Sequence, residues 1–274
     1  IRYRHPSEDI AFEVALRASM PPALRYNGNH VVQAFRTQGE LRLHGKTYRI
    51  DGYYCRDRSW REHRNEAQHA LPPVSFIVGA FDDDLAFHVL AFENPERRPE
   101  WRGLYGAPAP GDNLLWGWVW DSGRLIGARR ADLFVDRPDG LRPMSTHIGL
   151  HMEDGQSYAI EGKTIALHPA MGWPNISTHY ALNEWRCRGK IGYGDNQDVM
   201  YPAHIRNALR LRGGPPAGGP LPISEWANEL ADKMPDEILQ AIKAARSGTE
   251  GELGDDSWRE RLADRFGSRW RITR

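Results

Sequence analysis

Cysteine is almost missing: Cys55 and Cys187 are the only two in 274 residues. Two thiols cannot build a disulfide framework, and their scarcity fits a reducing, cytoplasmic compartment. Charge of one sign is missing as well, since Lys plus Arg and Asp plus Glu both number 36. No basic excess exists to draw in nucleic acid, and no polybasic stripe marks a membrane surface. No apolar run approaches the roughly 20 residues that cross a bilayer, and the opening IRYRHPSEDI has no apolar signal-peptide core. Phosphate-cradling loops are lacking too: Gly192-Tyr193-Gly194 runs into Asp195 without a further glycine, and there is no Walker pattern. The Gly-x-Ser-x-Gly elbow of common hydrolases does not occur. His147 and His151 share a strand face but stand about 13 Å apart along it, too far for one zinc. Neither a cofactor nor a metal is therefore expected.

Aromatic residues are plentiful: ten Trp, ten Tyr and eight Phe. They favour strands and supply large apolar area, either as a ring-rich core or as a pocket wall. Strand-like runs separated by turn signals recur along most of the chain. Residues 31–35 lead through Thr37-Gln38-Gly39 to 40–43, and His44-Gly45-Lys46 turns into 47–51. Further hairpins are predicted over 74–81 with 85–92, 114–120 with 124–135, 147–152 with 158–167, and 180–188 with 190–193. About ten short strands in meander order indicate an antiparallel sandwich or barrel, hence a mainly β fold. Pro72-Pro73 suggests a division into two β halves, 1–70 and 71–212. Helices are expected only beyond residue 220, after a Gly/Pro linker at 213–222, over 224–233, 236–246 and from Ser257 onward. They would make residues 213–274 a short helical extension that packs on the barrel or on a neighbouring subunit, a partner chain or second copy.

Chemistry-bearing residues crowd into 48–64, YRIDGYYCRDRSWREHR. A strand end this polar cannot simply enter a core, because every buried charge needs a partner. Alternation sets Asp57 on one face with Cys55 and Ser59, and Arg56 and Arg58 on the other. Asp57 then serves either as an Asp–Arg latch or as an acid. On 114–120, Trp116, Trp118 and Trp120 share one face, as a packed sheet surface or a pocket wall. His168, Trp173, His179 and Glu184 gather near one loop, where they line a pocket mouth or act as ordinary polar surface.

Gly39-Glu-Leu, then Lys46-Thr-Tyr-Arg-Ile-Asp51-Gly52-Tyr and Arg56-Asp57-Arg58-Ser59-Trp60, resemble the domain junction of the carotenoid 1,2-hydratase (hydroxyneurosporene synthase)-like superfamily. Its pattern has Gly where Tyr54 and Arg61 stand here. Where relatives read Gly-Trp/Tyr-Gly and then an acidic residue, Gly192-Tyr193-Gly194 precedes Asp195. The resemblance implies two lipocalin-like β units, the first of them lacking its start in 1–70, and chemistry on isoprenoid, terpenoid or steroid-like substrates. Relatives begin well before residue 1, so the missing start is absent or supplied elsewhere. The implied enzyme is a hydratase, dehydratase or cyclase. Protonating an alkene or tertiary alcohol needs a carboxyl kept neutral by an apolar pocket, and ring faces steady the resulting cation. Asp57 is the implied acid, with Asp51 and Glu184 as the other candidate carboxylates. Tyr54, Trp60, Trp116 and Trp118 are candidate walls, with His63, Trp173 and His179 beside them. The alternative from another class is a non-catalytic carrier of hydrophobic small molecules.

Overall fold

A computed structural model describes residues 1–26, 28–60, 72–98, 101, 104–105, 113–173 and 176–211, with the backbone alone at 171–173. The described residues fall in one compact unit, 1–215; residues 216–274 lie outside the described residues, as do the linker at 213–222 and the helices predicted beyond it. Most of the predicted boundary between 65 and 73 falls there too.

Tight turns set the register. His44-Gly45, Ser122-Gly123 and Arg188-Gly189 all have positive φ, between 48° and 85°. That pairing of left-handed residues matches the right-handed twist of the strands it joins. Eight strands then run up and down in chain order: β6 (Val74–Ala80), β7 (Leu85–Phe92), β8 (Leu114–Asp121), β9 (Arg124–Asp136), β10 (Ser145–Met152), β11 (Ser157–Trp173), β12 (Ile176–Cys187) and β13 (Lys190–Met200). β13 pairs back onto β6 and closes an antiparallel barrel. Up-and-down closure of eight strands is the lipocalin type of architecture.

The lumen is filled. Ile77, Phe87, Val89, Leu133, Leu150, Ile160 and Trp185 form one buried cluster. Trp185 is fully buried and takes the space a side chain would need at residue 162. A Cβ on Gly162 would lie 2.2 Å from its ring. At the other end the filling is ionic. Arg137 donates two hydrogen bonds to Asp198, at 2.7 and 2.6 Å, and a third to Glu93, while Arg98 and the Val135 amide also donate to Glu93. Burial opposes the Arg137 charge, yet Asp198 and Glu93 outweigh it and the guanidinium's pKa rises.

Before the barrel lies an open sheet of β1 (Arg2–Arg4), β2 (Ile10–Ala18), β3 (Ala23–Leu24), β4 (His30–Leu43) and β5 (Lys46–Ser59). The first three strands escaped the sequence reading. The turn expected at Thr37-Gln38-Gly39 is not there either, because β4 runs straight through it. Gly39 is needed for close approach, since a Cβ there would sit 2.0 Å from the Glu13 carbonyl oxygen. This sheet packs on the outer face of β6–β8 through Val32, Ala34, Cys55, Phe76, Val78, Ala86 and Trp118.

One helix contradicts the expectation of helices only after residue 220: α1 (Pro202–Leu211) follows β13 directly. Pro202 stands in its first turn, where a missing N–H costs nothing. His204, Ile205, Asn207 and Ala208 are its buried residues, a three-to-four spacing legible in the sequence. His204 accepts a hydrogen bond from Tyr105 and donates one to the Gly140 carbonyl.

Candidate functional site

Strand alternation decides what faces the seam between sheet and barrel. β4 and β5 pair with Val32 opposite Asp57 and Ala34 opposite Cys55, so these side chains share the face turned to the barrel. From the barrel, Phe76 on β6, His88 on β7 and Trp116 and Trp118 on β8 point outward, away from the filled lumen. Four rings meet there in a closed circuit. His30 stacks on Phe76 at 5.8 Å between centroids and lies 5.2 Å from Trp116, and His88 lies 4.6 Å from each of those two rings.

Asp57 closes this cluster. Its carboxylate is hydrogen-bonded to His30 Nε2. The His30 side chain is 6% exposed and that of Asp57 42%, so the pair joins a buried ring to a solvent-reachable acid. Arg56 does not latch Asp57; it donates to Gln33 and lies over the Phe35 ring. His88 Nδ1 donates to the Ile77 carbonyl at 2.9 Å, which leaves Nε2 as a bare acceptor. That nitrogen has no partner among the described residues, and burial pulls the His88 pKa down to about 3.

On the flank of the seam, the Tyr54 hydroxyl donates to Asp195 of β13 at 3.2 Å, and Gln197 donates to the same carboxyl at 3.1 Å. Burial raises the Asp195 pKa and the negative charge of Asp57 raises it further, against the hydrogen bonds from Gln197, Tyr54 and its own backbone amide. Tyr54 is pushed up in turn, by burial and then by Asp195.

Residues 1–197, which include every side chain of this seam, match the family described as Domain of unknown function (DUF7064). The chain belongs to the DUF7064 family. No curated protein matches it. Among solved structures, it is similar to the crystal structure of an AttH candidate from Nitrosomonas europaea, at 12% identity and a TM-score of 0.49. The match covers 73% of this chain and 63% of that one, so the chain spans less than two thirds of that protein's length.

The other predicted site residues of this DUF7064 protein are scattered. Asp51 is held by Arg36, Arg49 and Gln38 on the sheet surface. Glu184 faces outward from the barrel and pairs with Arg186 at 2.7 Å. His179 stands opposite Asp198 at the ionic end, with its pKa lowered by burial. The loop grouping of Glu184 with His179 is thereby undone, since the two point to opposite sides of β12. Trp60 lies at the end of β5, 39% exposed. His63 and the Trp173 side chain lie outside the described residues. Sequence reasoning missed His30, His88 and Asp195. Only Asp195 carried a local signal, the preceding Gly192-Tyr193-Gly194.

A cavity of about 250 Å³ opens at the ionic end, between Trp101, Arg137, Asp139, Gly140 and His204. The Arg137 and His204 hydrogen bonds are already taken up within the fold, so it offers less chemistry than the seam. Among the described residues no group of His, Cys, Asp and Glu is disposed to hold a metal ion, and no helix is long and apolar enough to cross a membrane.

Proposed function

We propose that this protein is an acid/base enzyme, a hydratase, dehydratase or cyclase working without a cofactor on an apolar isoprenoid, terpenoid or steroid-like substrate. The observation that carries the reading is the Asp57–His30 hydrogen bond at the edge of the Phe76, His88 and Trp116 rings. A carboxyl coupled to an imidazole can give and take a proton, and ring faces nearby favour a cationic intermediate. The likeness of residues 51–60 to the carotenoid 1,2-hydratase superfamily supports the same chemistry. In this reading the substrate lies at the seam between sheet and barrel, a position that the packed lumen supports.

In this reading Trp116 and Tyr54 are substrate walls and Trp118 backs them. The first sheet is part of a first lipocalin-like unit, the cell compartment is the cytoplasm, and a partner docks through the segment beyond residue 220. The free, buried Cys55 and Cys187 are in keeping with a reducing setting. The same rings could hold an apolar molecule without chemistry, which makes a carrier the second reading.

One experiment separates the two. The protein is incubated with a panel of terpenoids and steroids, and products are followed by mass spectrometry for gain or loss of water or for isomerisation. Enzymatic conversion that disappears in Asp57→Asn supports the first reading. Ligands bound and returned unchanged support the second.

A further inference from the structure

Among the described residues Asp195 is a buried carboxyl without a counter-ion. It is 7% exposed and its donors are all neutral: the Tyr54 hydroxyl, the Gln197 amide and its own backbone amide. No Lys, Arg or His among the described residues pairs with it. Asp198, three positions on in the same strand, is also buried but receives two hydrogen bonds from Arg137. Among the described residues, then, a guanidinium meets one carboxylate of β13 and none meets the other. A lone carboxylate in such a place is costly, and carrying a proton relieves that cost.

The surroundings sharpen the contrast. Asp195 points outward from the barrel towards β5. Gly192 and Gly194 point inward, where a Cβ would strike the backbone of β6 at 2.5 and 2.1 Å. From β5, Tyr54, Cys55 and Asp57 are the titratable groups that act on this corner, and Asp57 adds a negative charge. On β12, Glu184 is engaged by Arg186. Two acids in different environments, one tied to an imidazole and one among neutral donors, are suited to opposite roles.

Resting on the acid/base reading above, we propose that Asp195 is the proton donor of this site and that the Asp57–His30 pair is its base. In the hydration direction, the Asp195 carboxyl gives its proton to an alkene carbon, and the alkene π pair forms the new C–H bond. Water adds to the cationic carbon through an oxygen lone pair while the Asp57–His30 pair takes the proton that water loses. The proton returns to Asp195 through solvent, so an alkene and water become an alcohol with no redox partner. Dehydration is the reverse.

The test has two arms. In the first, aspartate carboxyl carbons are labelled and titrated by NMR without substrate, the Asp195 resonance being assigned with Asp195→Asn. Asp195 should titrate above the ordinary value near 3.9. Its midpoint should fall in Asp57→Asn, which removes a negative charge, and rise in Tyr54→Phe, which removes a donor to the carboxylate. In the second, Asp195→Asn should lower turnover by at least about a hundredfold, with melting temperature and ligand affinity little changed. An Asp195 that titrates in the ordinary range overturns the proposal, and so does turnover that survives Asp195→Asn. If no panel substrate is converted, the acid/base reading itself falls and takes this role with it, whatever the titration shows.

Discussion

His30 and Asp57 are 27 residues apart in the chain, yet their side chains meet across β4 and β5 in a hydrogen bond. The contact ties a carboxylate that solvent can reach to an imidazole enclosed by Phe76 and Trp116. Neither residue has another route to that arrangement, because β4 and β5 pair in unbroken register from Leu43 opposite Lys46 to His30 opposite Ser59.

Asp57→Asn keeps the shape and an acceptor oxygen while abolishing the titrating carboxyl. Turnover should drop by at least about a hundredfold with the melting temperature nearly unchanged. Thermal unfolding and turnover measured on the same preparation check it. A fully active variant would remove Asp57 from the chemistry.

Arg137→Met should be among the most damaging single changes. It leaves Glu93 and Asp198 buried without the guanidinium that bridges them, a loss of about 3–5 kcal/mol. Urea unfolding followed by tryptophan fluorescence would measure it, and a loss below about 1 kcal/mol would show that the ionic end is not closed as described.

Gly162→Ala inserts a methyl group against the Trp185 ring, 2.2 Å from the nearest atom. Overpacking of this kind costs about 1–3 kcal/mol. The same change at Gly155, where a Cβ meets nothing within 4 Å, strains only the left-handed backbone. Equal destabilisation of the two variants would mean that the lumen has room to spare.

Stability should depend on acidity through two buried histidines. Burial holds His88 at about 3 and His204 at about 4, whereas an unfolded histidine titrates near 6.5. Below about pH 6.5 the unfolded chain takes up protons that the native state refuses, so stability falls as pH drops towards the folded values and is full above 6.5. Urea midpoints measured across that window should decline. His88→Gln, which keeps a donor for the Ile77 carbonyl, should flatten the slope; an unaltered slope would show that His88 does not contribute to it.

Much of the barrel can be read from local sequence. Two-residue turns such as Ser122-Gly123 and Arg188-Gly189 announce hairpins, and a hairpin series in chain order leads to an up-and-down meander. The reading failed elsewhere. β2 went unread although Pro6-Ser7-Glu8-Asp9 turn the chain into it, and the Thr37-Gln38-Gly39 turn is a straight passage because Gly39 answers a neighbouring strand. The α1 pattern was present at Pro202, Ile205 and Ala208 but sat inside a stretch read as β.

The candidate site divides along the same line. From residues 48–64 alone, the alternation of β5 fixes that Asp57 shares a face with Cys55, and alternation along β8 fixes that Trp116 and Trp118 share another. Those are short-range consequences of strand geometry. Which partner Asp57 meets, whether the tryptophans face a lumen or a seam, and that Asp195 accepts a hydrogen bond from a tyrosine 141 residues away were decided only by tertiary structure. Closing the barrel filled its interior with Trp185 and turned the outer face of β6–β8 towards the first sheet. Contacts across that seam depend on how two sheets stack, and a periodicity of two along one strand carries no information about the strand it will lie against.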